Sequence, residues 1–138
     1  QVEECFRSLM KTRQNVDYQK DETLDKKLEA IAQQFQPDWL DNRTGGLTEH
    51  ARTIIINELR GYLLTGSVWL WYGEVKPGQS ALAQAESMKY SQGIEIALLD
   101  SGIPTLQAIA FTMTGKKSDG HRYYLALRTN ATIKTPQG

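Results

Sequence analysis

The side chains able to carry nucleophilic, acid–base or metal chemistry are few and scattered. His50 and His121 are the only histidines and Cys5 the only cysteine of the 138-residue chain. No CxxC, HxxxH or HExxH spacing links them, so no short segment offers the ligand set of a zinc site. Cys5 follows Glu3 and Glu4, whose charges disfavour the thiolate that a reactive cysteine needs. It reads as a small buried residue or as a thiol close to a membrane anchor. Ser67 after Gly66 and Ser101 before Gly102 lack the GxSxG turn of a serine nucleophile. Gly45-Gly46 precedes a helix start, but no GxxxxGK[ST] and no GxGxxG accompanies it. Lys116-Lys117 reads as a solvated pair in a loop. His121, behind the Asp119-Gly120 turn, and His50, near a helix start, read as exposed. Asp38, Glu49, Glu74, Glu86 and Glu95 are the carboxylates available for acid–base work, and a charge on a strand normally points to solvent. No catalytic residue, metal site or cofactor is expected.

Binding is better supported. Ser67-Val68-Trp69-Leu70-Trp71-Tyr72-Gly73-Glu74-Val75 reads as one β-strand rich in aromatic and β-branched residues. Alternation puts Val68, Leu70 and Tyr72 on one face and Trp69 and Trp71 on the other. Both faces are apolar, so the strand is buried on both sides or presents an aromatic surface. Trp69, Trp71, Tyr72 and, from the preceding helix, Tyr62 are the candidate ligand- or partner-binding residues.

The elements that hold this strand are legible from periodicity. Residues 3–12 suit a short amphipathic helix with Glu3 and Glu4 at the favourable end of its dipole. Asp21 is an N-cap for a helix carrying Leu24, Leu28, Ile31 and Phe35 on one face, ended before Pro37. After the turn-rich 37–47 segment, Thr48 caps a third helix predicted to reach about Leu64, with Gly66 closing it. The Ile54-Ile55-Ile56 triplet competes with strand propensity there. Residues 80–92 suit either a helix capped by Gly93 or a strand returning along 67–75. Ile94–Leu99 is a strand, broken by Asp100-Ser101-Gly102 and Pro104. Leu106–Thr114 and Arg122–Thr129 form a hairpin around an Asp-Gly turn, and 135–138 is a frayed tail.

Length and balance bound the rest. A chain this long supports one self-sufficient core. Sixteen Lys/Arg against sixteen Asp/Glu, with no concentrated basic segment, argues against nucleic acid as a partner. One cysteine excludes an intrachain disulfide. No apolar run is long enough to span a bilayer, although an N-terminal anchor removed ahead of Gln1 fits residues 1–12 as an anchor-proximal helix.

The expectation is a single α+β domain over 1–138, with two or three N-terminal helices on one face of a four- to five-stranded, mainly antiparallel sheet. This order of elements is loosely similar to cone-shaped folds of the nuclear transport factor two type and to pilin-type domains; the likeness lies in element order alone and carries no residue roles. Functionally, the sequence points to a non-enzymatic binding domain with a protein partner. Its expected setting is the extracytoplasmic or periplasmic part of a membrane-associated sensor, regulatory or accessory subunit. The alternatives are a small enzyme or binder of a small apolar ligand with a cavity between helix 48–64 and the sheet, and a cytoplasmic inhibitor or immunity-type protein.

Overall fold

A computed structural model describes residues 1–41, 43, 46–97 and 106–133. The end of the 94–99 strand, the Asp100–Pro104 break, Gly45 and the 135–138 tail lie outside the described residues. Four helices are described: α1 (Val2–Gln14), α2 (Glu22–Gln34), α3 (Glu49–Leu59) and α4 (Ala81–Glu86). The strands are β1 (Leu63–Glu74), β2 (Lys89–Tyr90), β3 (Ile94–Ala97), β4 (Leu106–Met113) and β5 (Tyr123–Ile133). All strand pairings are antiparallel. The order is β2-β1-β5-β4, with β3 also on β1, so β2 and β3 share one edge and β4 is the other. The chain is α+β, helices leading and the long hairpin last.

Local chemistry fixes the helix starts. The Asp21 carboxylate accepts from the Leu24 amide at 2.7 Å and the Thr48 hydroxyl from the Ala51 amide at 3.2 Å, each satisfying a donor with no partner inside its helix. In α1, Glu3 and Glu4 sit in the first turn and Lys11 and Arg13 in the last, matching the dipole.

Two cores lie on the two faces of the sheet. Leu24, Leu28 and Ile31 of α2 and Ala51, Ile55 and Leu59 of α3 pack on Val68, Leu70, Leu125 and Leu127. Phe6 and Met10 of α1 and Ala85 of α4 pack on Trp71, Ile109 and Ala126 of the opposite face. Two helices thus cover one face as expected, while α1 and α4 cover part of the other. The apolar stripe of α1 is thereby used inside the domain.

Three boundaries differ from expectation. Helix α3 stops at Leu59, not Leu64: Gly61 breaks it, and Leu63 already pairs with Ile133. Leu63 suits the core in either conformation, which is why the helical stripe ran on through it. Gly66 does not cap a helix. It lies within β1 at φ 117°, at a register irregularity, and a Cβ there would sit 2.5 Å from the Ala131 backbone. Segment 80–92 is both things in turn: Ser80 caps α4, whose six residues end at Glu86, and Tyr90 then pairs with Trp71. Gly93 caps nothing; the Trp69 indole packs where its Cβ would be, 3.1 Å away.

Candidate functional site

The β1–β5 register sets Trp69 directly opposite Arg128 and Trp71 opposite Ala126. Directly opposed residues share a face at contact distance, so each tryptophan's surroundings follow from its partner. Small Ala126 leaves room for α1. Phe6 meets Trp71 edge-on at 5.2 Å, and Tyr90 meets it from β2 at 4.6 Å. Trp71 is only 4% exposed, and its indole Nε1 is buried with no hydrogen-bond partner. It is a core residue, with the exposed Tyr90 ring as its outer lid.

Trp69 is half-buried, at the margin of the smaller core. The Arg128 guanidinium carbon lies 4.0 Å from its ring centroid, and Arg128 Nη1 donates to the Tyr18 hydroxyl at 3.0 Å. This cation–π stack is held from both sides, by Tyr18 of the α1–α2 connection and by the indole against Gly93. Arg128 forms no ion pair among the described residues, and its Nε is buried without a partner. Around the stack, Ser67 and Asn130 are half-exposed and Gln107, Glu95 and Tyr90 exposed. This half of the sheet face is open.

Tyr72 and Tyr62 lie on the α2–α3 side, away from this platform. The Tyr62 hydroxyl donates to the second oxygen of Asp21 at 2.7 Å, tying the start of β1 to the cap of α2. Burial, and then the hydrogen bond to Asp21, push its phenol up to about 12. Tyr72 lines an open cleft of about 340 Å³ with Glu74, Lys76, Lys89, Ser87 and Tyr123, and burial raises its phenol. A Glu74 carboxylate oxygen lies 3.1 Å from His121 Nδ1, and the Tyr123 hydroxyl donates to the Asp119 carboxylate. Burial, then Asp119, raise the Tyr123 phenol. Sequence spacing gave no hint of this carboxylate–histidine pair; the β1–β5 register brings Tyr123 opposite Glu74, and His121, two residues earlier, comes within its reach. Glu95 is exposed on β3, and Ala51, Ile55 and Leu59 of α3 belong to the larger core.

Lys117 corrects an expectation. It is not solvated with Lys116: its Nζ donates to the Ala32 carbonyl at 2.8 Å and the Gln33 carbonyl at 3.3 Å. Helix α2 has no basic residue in its last turn, and this loop lysine supplies the missing charge across space. Burial lowers its ammonium pKa.

Among the described residues, no three His, Cys, Asp or Glu side chains gather as a metal ion would require, and no helix is long and apolar enough to cross a membrane. Comparison with protein-family models, with curated proteins and with solved structures finds no match to this chain. The functional reading therefore rests on the residues themselves.

Proposed function

We propose that this chain is a non-enzymatic binding domain that engages a protein partner through the open half of the sheet around Trp69, Arg128, Tyr18 and Tyr90. The observation that carries the reading is Arg128: a half-buried cation, stacked on Trp69 and braced by Tyr18, with no ion pair among the described residues. Tryptophan, arginine and tyrosine dominate the energetics of protein interfaces. A prearranged guanidinium costs little further ordering when a carboxylate arrives. The partner surface this favours carries an acidic residue set among apolar ones.

A membrane-associated, extracytoplasmic assembly as the setting is part of the proposal. What supports it is a groove of about 440 Å³ between α1 and α4, where Cys5, Leu9 and the half-exposed Leu82 lie among Glu4, Ser8, Thr12 and Arg13. The small-ligand alternative is supported by the cleft beside Tyr72 and Glu74.

The test is affinity capture from an extract of the source cells, with the unaltered domain, Trp69→Ala and Arg128→Ala as baits. A protein retained by the unaltered domain and lost on both variants, with circular dichroism unchanged, is the expected outcome. Equal capture by all three baits would sink the platform. Capture that instead follows Tyr72→Ala would move the site to the cleft.

A further inference from the structure

The β4 edge is occupied along one half and free along the other. Gln19 adds to it in parallel: its amide donates to the Gln107 carbonyl at 2.9 Å, and its carbonyl accepts from the Ile109 amide at 3.1 Å. Arg7 Nη2 donates to the Ile109 carbonyl at 2.6 Å. Along an antiparallel edge, outward-facing backbone groups recur every second residue. Thr114 faces inward, donating to the Tyr123 carbonyl. Phe111 and Met113 therefore face outward like Ile109, and among the described residues their outward N–H and C=O groups have no partner. Met113 is 46% exposed.

This free stretch runs between two clefts, one on each face of the sheet. On the α1 side lies a cleft of about 320 Å³ lined by Val2, Phe111, Met113 and Tyr124, with Gln1 and the Arg7-paired Glu3 at its side. On the α2 side lies one of about 490 Å³, lined by Glu29, Gln33, Thr112, Thr114 and Lys117, whose ammonium is turned onto the Ala32 and Gln33 carbonyls. Glu29 forms no ion pair among the described residues. A strand added to this edge would send alternate side chains into the two clefts.

We propose that Phe111–Met113 is a strand-addition site for an extended segment of a protein partner whose side chains alternate apolar and basic. The backbone of that segment satisfies the four outward groups of Phe111 and Met113. Its apolar side chains enter the cleft beside Val2 and Tyr124, and its lysine or arginine faces Glu29. This surface is separate from the Trp69 platform and does not depend on it.

The experiment is amide hydrogen exchange of the whole domain, titrated with a capped seven-residue peptide of alternating valine and lysine. The controls are the same peptide with alternate amides methylated and one with glutamate in place of lysine. The expected result is saturable protection of the Phe111 and Met113 amides by the valine–lysine peptide alone. Met113→Pro should abolish it while leaving the fold intact, because the amide it removes points away from β5. Glu29→Lys should weaken it about fivefold, as loss of an exposed ion pair does. No protection, or equal binding by Met113→Pro, overturns the proposal. So does protection of both amides without peptide in a species of twice the 15.6 kDa chain mass, which would make a second copy the occupant.

Discussion

Replacing Phe6 by alanine tests whether α1 belongs to the core or merely lies alongside it. The Phe6 side chain has no exposed surface. Its ring meets Trp71 edge-on at 5.2 Å and Phe111 at 5.7 Å. Truncating a buried phenylalanine costs about 3–5 kcal/mol, transfer and cavity terms together. The two aromatic contacts carry about 0.5–1.5 kcal/mol each of what is lost beyond area. A domain of this size is stable by about 5–15 kcal/mol, so Phe6→Ala removes a large fraction. Urea unfolding followed by far-ultraviolet circular dichroism measures it, with exposed Ser8→Ala on the same helix as the control, expected within about 0.5 kcal/mol. An unchanged m-value with a lowered midpoint means that a cavity formed under a docked helix. A reduced m-value means that α1 came off and left less surface to expose. Trp71 reports independently, since Phe6 covers it, and its emission should shift red. A loss below about 1 kcal/mol for Phe6→Ala, near the average of all substitutions, would refute the placement of α1 on the sheet.

Two other outcomes follow from tertiary hydrogen bonds. Lys117→Met keeps the aliphatic stem but strips the α2 carbonyls of their donor, and should cost about 1–2 kcal/mol in the same assay, whereas Lys116→Met should cost almost nothing. Tyr62 holds its proton more tightly folded, at about 12, than its ordinary 10.0; its contribution is therefore complete below pH 10 and is lost as pH rises from there through 12. Stability measured across that window should fall less steeply in Tyr62→Phe than in the unaltered protein, and an identical slope would show that the phenol and Asp21 are not coupled.

Much of the architecture was legible because periodicity and packing agreed. Leu24, Leu28 and Ile31 share a helical face, and that face is buried; Trp69 and Trp71 alternate with Val68 and Leu70, and the two sets enter different cores. Boundaries failed where one residue suits the core in two conformations, as Leu63 does at the junction of α3 and β1. The face chosen by α1 was not legible either. Its stripe states that Phe6 and Met10 are buried, but what receives them is the gap left by Ala126 between larger neighbours, and that gap exists only once β1 and β5 are in register.

The same distinction governs the candidate site. The nomination of Trp69 and Trp71 followed from residue type and cannot separate a buried tryptophan from a displayed one. The separation comes from the residue across the sheet: alanine opposite Trp71 admits a helix, whereas arginine opposite Trp69 stacks on the indole and leaves that half of the sheet face open. Arg128 itself carried no local signal, being a lone cation 59 positions along the chain from the tryptophan it covers. Its meaning lies in the register and in its forming no ion pair among the described residues. A cation already desolvated on one face by an aromatic ring, and held by a tyrosine on another, has given up much of its hydration before any partner arrives. Such a group favours an incoming anion over water more strongly than a freely solvated lysine does, and this preference is what makes the open half of the sheet a recognition surface rather than an uncovered one.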